Sequence, residues 1–444
     1  RVRDLLEEHL SDEQFGFRRG RGCDDAVHIL RMLVEKSNEW GEELWLAALD
    51  VEKAFDRVHH SVLFDALVSC DVDVHVVGAL RRLYKDMRAI VQLQPGMESR
   101  TFSVQRGVRQ GDPLSPVLFN LVMRSVLAEV DAIWQRRGYG SNVGQKLDGH
   151  RLTHVAFADD MTLVTRSWLS LKRMLAMLRG ALSKRGLDLH PSKCKAQTNL
   201  TDWALRGEVP IVSGFSLHVL PEDAPLDVLG TVVALKETTQ VEIDHRIATS
   251  WRKFWSLKRL LLNRSVSIKQ RLRLFDSTVG CCMLWCCRSW TARVQEVNRI
   301  NTAWHSMLRR ICRHGRAPDE SYIDWIRRST AKARQLAEGA GIRNWCRSYA
   351  AYKWAWAGHV ARRGANTWLW NVTSWRDSSW TTCSLAVGGE RPLRPSRRRW
   401  MKWEHVVQTF SRQAGLGNWI SSTLDREGWM ASQQEFVTFM CKAL

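Results

Sequence analysis

At 444 residues and 45% hydrophobic content, the chain is long enough for two or three domains with real cores. No N-terminal stretch joins a basic start to an apolar run and a cleavage site, and no apolar segment approaches the roughly 20 residues a bilayer requires, so the chain reads as soluble and intracellular rather than secreted or membrane-spanning. The net charge of +20 is uneven: residues 1–240 hold 31 Lys+Arg against 32 Asp+Glu, while residues 241–444 hold 35 against 14 and carry 17 of the 22 tryptophans. A neutral front half and a basic, Trp-rich back half suggest chemistry in front and a polyanion grip behind, most of the tryptophans serving as core.

Along the chain, "DEQFGFRRGRG" reads as a Gly/Arg loop that enters a helix carrying Ala26, Val27, Leu30, Leu33 and Val34 at helical spacing. "ELWLAALD" reads as a buried strand with Asp50 at its carboxyl end, and "SVLFDALVSC" as a helix. "TFSVQRGVRQGDPLSPVLFNLVMRSVLAEV" predicts a strand, a Gly/Pro loop and a helix with Pro116 in its first turn. "RLTHVAFADDMTLVTRS" fits a hairpin with "ADD" at its tight turn, and the helix after it ends near Gly186. Beyond about residue 240 the alternation of strands gives way to basic amphipathic helices. Domain boundaries are expected near 238 and near 315, where "RHGRAPDE" supplies loop chemistry, and "VGGERPLRPSRRRW" interrupts the final segment.

An isolated Asp pair in a turn is ordinarily a solvated turn. Here a third acid, Asp50, ends another apolar strand. If the strands are neighbours, Asp50, Asp159 and Asp160 converge, and their repulsion calls for divalent cations. Hard ions such as Mg²⁺ prefer such oxygens, and two of them can serve in-line phosphoryl displacement, so the residues point to a metal-dependent nucleotidyl transferase.

"LDVEKAFDRV" at 49–58, "GVRQGDPLSPVLFN" at 107–120, "FADD" at 157–160 and "LHPSKCK" at 189–195 resemble the ordered palm motifs of reverse transcriptases. "FADD", with "DEQFGFRRGRG" upstream, is most similar to non-LTR (LINE-type) retrotransposons. The resemblance covers about residues 11–315, and a fainter one, "WAWAGHVARR" followed by "RPLRPSRRRW", continues into the tail. It implies an α+β fold: the right-hand polymerase fold with fingers, a palm built on an antiparallel sheet and a helical thumb, followed by a mostly α-helical C-terminal region. The expected domains are 1–238 (fingers, N-terminally truncated, and palm), 239–315 (thumb) and 316–444 (a basic, Trp-rich region).

The resemblance further implies that Asp50, Asp159 and Asp160 are the catalytic and metal-binding carboxylates for two Mg²⁺ ions, with Mn²⁺ as a substitute. Lys193 would assist the leaving pyrophosphate. Phe55 would crowd the sugar 2′-hydroxyl, Gln110 and Gly111 would support template and nucleotide, and Arg18, Arg19 and Arg21 would face the triphosphate. His190 stands where asparagine is frequent in the family, and "VLGTVV" at 228–233 departs from the usual Tyr-Leu-Gly primer-gripping hairpin.

The implied partners are an RNA template, a DNA primer or nicked target DNA, and dNTPs, with no membrane; oligomeric state stays open. The implied setting is a nuclear ribonucleoprotein. Target-primed retrotransposition also needs an endonuclease, and none is recognisable in the sequence, which opens inside the fingers motif as a piece of a larger polyprotein would. A domesticated, non-catalytic RNA-binding remnant and an intron-encoded maturase remain alternatives. Eleven cysteines without a secretory signal read as reduced thiols, and Cys281, Cys282, Cys286 and Cys287 as buried thiols of an apolar helix rather than a zinc site.

Overall fold

The computed structural model describes residues 2–443 apart from Leu147, Asp202, Glu237, Asn366 and 377–401, so the "RPLRPSRRRW" motif lies outside the described residues. The chain forms two compact units, one comprising the residues up to Gly230 plus a segment entered at Ala365, the other Thr231–Gly364 plus the C-terminal helices.

The first unit is built on a six-stranded sheet whose strands are β1 (Trp45–Asp50), β2 (His154–Phe157), β3 (Asp160–Thr165), β4 (Lys195–Thr198), β5 (Gly207–Val212) and β6 (Phe215–Val219), in the order β2-β3-β1-β4-β6-β5. All neighbours are antiparallel except β4 and β6. Period-two alternation gives the sheet two different faces. Trp45, Ala47 and Leu49 of β1, with Met161 and Leu163 of β3, join one core with α2 (His60–Ser69), α3 (Ser115–Arg136) and α4 (Trp168–Ser183). Leu46 and Val164, paired across β1 and β3, are buried on the other face. There α1 (Cys23–Trp40) packs against β2, and a short helix from the returning segment (Trp368–Ser374) packs against α1. The same alternation puts Asp50 and Asp160 on the face opposite the α2–α4 core.

The helices form where periodicity places them: α3 carries Pro116 in its first turn, Ser167 caps α4 through the Ser170 N–H, and Gly186 follows α4 with φ +74°. The returning segment is tied by contacts distant in sequence. Trp368 donates its indole N–H to Glu13 at 2.7 Å, and Thr373 pairs with His28 at 3.0 Å.

The second unit is helical. Helix Thr238–Ser256 buries a Glu242–Arg246 ion pair whose carboxylate also accepts the Val232 N–H at 2.8 Å. Helices Val294–Cys312 and Tyr322–Gly339 pack together across the 313–321 loop, so the domain boundary expected near 315 falls within this unit, and the one expected near 238 lies at Gly230. Trp290, Trp304, Trp345, Trp354, Trp403 and Trp429 are all buried, as aromatic spacing predicts, while Trp255 and Trp285 are exposed. Trp354 and Trp429 stack at 3.6 Å, and each donates its indole N–H to the other's carbonyl, at 2.7 and 3.0 Å. The cysteine-rich stretch departs from the expected apolar helix. It breaks into a π-helical turn at Asp276–Gly280, a three-residue helix and a left-handed residue at Cys286, and Cys281 is exposed and Cys282 half-buried, with only Cys286 and Cys287 buried.

Candidate active site

Three acids meet at one end of β1. The register sets Asp50 directly opposite Asp160, and Asp159 occupies the turn between β2 and β3, whose closing pair is Phe157 and Asp160. Burial raises the pKa of Asp159 above the usual carboxylate range, as does the charge of Asp50. Asp160 is raised first by burial and then by both neighbours. The Lys193 ammonium sits 3.2 Å from Asp50 Oδ2 and supplies the local counter-charge. Lys193 is placed by the 188–193 turn, where the His190 N–H donates to the Asp50 carbonyl at 2.7 Å and the Glu52 N–H to the Asp188 carbonyl at 2.9 Å.

Among the described residues, no three His, Cys, Asp or Glu side chains stand as a finished metal cluster. The donor chemistry nevertheless fits a hard divalent cation: all-oxygen ligands, few in number, whose mutual repulsion a cation would relieve.

The Gly/Pro loop docks against the 55–58 segment that follows β1. Gly107 and Val108 donate to the Val58 and Phe55 carbonyls at 2.7 and 2.8 Å, and Gly107, at φ +89°, lies so close that a Cβ would stand 3.0 Å from the Asp56 carbonyl oxygen. Gln110 donates to Asp56 Oδ1 at 3.0 Å, and Gly111 adopts φ +94°. Phe55 stacks on Phe119 of α3, with ring centroids 4.6 Å apart. Asp56 and Phe119 were not singled out from the sequence, although both lie inside the quoted motifs. Their roles depend on which loop and strand turn meet, which spacing alone does not reveal.

The three arginines have different employments. Arg21 forms an ion pair with Asp12 at 2.8 Å and lies over the Phe15 ring. Arg18 donates to the carbonyls of Ser11 and Gln14, and burial with the nearby Arg21 charge brings it down to about 10. The Arg19 guanidinium is exposed and has no hydrogen-bond or ion-pair partner among the described residues.

A sheet that presents three converging carboxylates at one end, with a lysine beside them and a glycine-shaped loop against the segment that follows β1, fits the palm of a polymerase. The family model described as "Reverse transcriptase (RNA-dependent DNA polymerase)" matches residues 1–233, and the chain belongs to that family. The family uses divalent metal ions and has the α+β, right-hand polymerase fold expected from the sequence. Over 191 residues the chain is 30% identical to a Pol polyprotein of the type-1 retrotransposable element R2 from Nasonia vitripennis, and over 181 residues 33% identical to one from the R2DM element of Drosophila melanogaster. These alignments cover 43% and 41% of the chain, but only 18% and 16% of the two polyproteins. Among solved structures, apo telomerase of Candida tropicalis matches 83% of the chain and covers 60% of its own, at 11% identity and a TM-score of 0.40.

Proposed function

We propose that this chain is the polymerase part of a non-LTR retrotransposon protein, an RNA-directed DNA polymerase that extends a primer 3′-hydroxyl with dNTPs on an RNA template during target-primed retrotransposition. The observation that carries this reading is the register pairing of Asp50 with Asp160, with Asp159 in the adjoining turn. In this reading Asp50, Asp159 and Asp160 hold two Mg²⁺ ions, or Mn²⁺ in their place, which would supply activation of the primer oxygen and stabilisation of the charge on the leaving group. Lys193, already beside Asp50, delivers positive charge where pyrophosphate forms. Phe55, held flat by Phe119, presents a rigid wall to the sugar and favours deoxynucleotides. Gln110 and Gly111 shape the floor for the templating pair, and Arg19 is the fingers arginine with its charge available for the triphosphate.

Residues 1–238 then act as fingers and palm, and the basic helices over 239–315 act as the thumb that tracks the phosphates of the hybrid. The 316–444 region extends that grip, and the natural setting is a nuclear ribonucleoprotein. The similarity to R2 polyproteins favours this setting over an intron maturase.

Primer extension on poly(rA) with an oligo(dT) primer and Mg²⁺ tests the proposal. The wild type extends the primer and Asp159→Ala does not, while both bind the hybrid equally. Equal synthesis by the two proteins, or none by either, would refute the reading.

A further inference from the structure

The turn that carries Asp159 has a support that the family motifs leave without a role. Its first residue, Ala158, is 2% exposed and has φ +59°, a left-handed conformation that a two-residue hairpin loop normally assigns to glycine. A non-glycine residue held there persists only when its surroundings enforce it.

The enforcing contacts come from Glu13–Gly16. Ala156 N–H donates to the Glu13 carbonyl at 2.9 Å and Phe15 N–H to the Ala156 carbonyl at 2.8 Å, so this segment lies as a short parallel addition along β2. The Gln14 side chain, 3% exposed, places its Oε1 where it accepts both the Gly16 N–H and the Ala158 N–H, each at 2.9 Å. Gly16 permits the approach, since a Cβ there would fall 2.4 Å from the Ala158 nitrogen. From the other side Asn120 of α3 donates to the Gly16 carbonyl at 2.8 Å. The amide of Ala158 thus has a side-chain acceptor in a buried setting, where an unpaired N–H is costly.

We infer that Gln14 is a positioning residue for the polymerase reaction: its carboxamide oxygen, shared between Gly16 and Ala158, fixes the turn that sets Asp159 at the tip of the hairpin. The inference rests on the polymerase reading. A displacement of a catalytic group by about 1 Å can cost on the order of 100-fold in rate.

The test compares the full chain with Gln14→Met, which keeps volume and removes the acceptor, in steady-state primer extension, hybrid binding and backbone hydrogen exchange. The expected result is a fall in kcat of about 10- to 100-fold with KM for dTTP and hybrid affinity within about twofold of wild type. Exchange should quicken over residues 152–163 and stay unchanged elsewhere. Ala158→Gly, which removes the backbone conflict, should return part of the lost kcat in the Gln14→Met background. A wild-type kcat in Gln14→Met, or exchange that quickens throughout the unit together with loss of hybrid binding, overturns the assignment. If the wild type itself makes no DNA, the polymerase reading fails and the positioning role fails with it; exchange confined to 152–163 would then uphold only the structural hold on the turn.

Discussion

Three arginines follow one another within four residues, and their identical chemistry hides three different situations. Arg21 is committed to Asp12 and the Phe15 ring, Arg18 to two backbone carbonyls, and the Arg19 guanidinium to nothing among the described residues, its backbone N–H alone donating to Glu7. Removing Arg21 would leave Asp12 to the single cation of Lys146, at 3.1 Å, and should loosen the loop. Arg19→Ala should leave thermal stability unchanged and raise KM for dNTPs several-fold, because only its charge is available to a triphosphate. Melting curves and dTTP titrations of Arg19→Ala and Arg21→Ala check this. A fall in Tm for Arg19→Ala with unchanged KM would reverse the assignment.

Between elements, a polar cluster ties the 11–21 loop to the returning helix. His150 Nε2 stands 3.7 Å from Glu13 and 3.8 Å from Asp131, and Trp368 donates to the same Glu13. Burial alone would raise Glu13, but the nearby His150 imidazole, the His154 charge and the Trp368 indole together hold it well below the usual carboxylate range. His150 is raised by the neighbouring Glu13 carboxylate, against burial, and further by Asp131. A histidine with a raised folded pKa adds stability that is complete below its ordinary 6.5 and disappears as pH rises through the folded value. A carboxyl with a lowered folded pKa adds stability that is complete above its ordinary 4.5 and disappears on acidification. Both contributions are therefore full between 4.5 and 6.5. The Tm difference between wild type and His150→Gln should be largest between pH 4.5 and 6.5 and shrink as the pH rises above 6.5, as followed by circular dichroism. A difference that is flat with pH would mean that packing rather than charge does the tying.

At the same scale, Gly358 shows what "WAWAGHVARR" encodes. A Cβ there would meet Trp429 Nε1 at 2.7 Å and Arg362 at 2.8 Å, pushing apart the Trp354–Trp429 stack. Alanine gains about 1 kcal/mol of helix propensity at an interior position, yet overpacking costs about 1 to 3 kcal/mol. Gly358→Ala should therefore lower stability by about 1 kcal/mol, whereas helix propensity alone would raise it. Denaturant titration measures the sign.

The elements themselves were largely legible. A short apolar run ending in an acid marked β1, "FADD" marked the hairpin turn, a Gly/Pro loop with Pro116 marked the start of α3, and helical spacing marked α1 and α4, because each signal is local. What depended on distant contacts was not legible: the return of Trp368–Ser374 to α1, the break in the cysteine-rich helix, and the embrace of Ala158 by Gln14. No periodicity announces a hydrogen bond between residues 144 positions apart.

For the whole molecule, the proposed function divides what would catalyse from what would hold, and the division follows charge. The three carboxylates lie in the near-neutral part of the chain, and the excess of Lys and Arg lies after residue 240, on helices such as Val294–Cys312, whose buried face is largely apolar and whose exposed face carries Arg299, ion-paired with Asp244, and Arg310. Each phosphate neutralised by such a side chain releases counterions, so affinity for an RNA–DNA hybrid should fall linearly with salt on logarithmic axes. With about 6 to 10 phosphates engaged, the loss between 50 and 200 mM salt is on the order of 10³ to 10⁵. Asp159→Ala should retain that slope while losing synthesis, because the site that reacts and the surface that grips draw on different residues. Replacing Arg299 and Arg310 with glutamine should do the reverse, flattening the slope and leaving kcat at saturating hybrid unchanged. Filter binding across a salt series, paired with single-turnover extension, separates the two. A slope that changed with Asp159→Ala would place the catalytic carboxylates within the binding surface and undo the division.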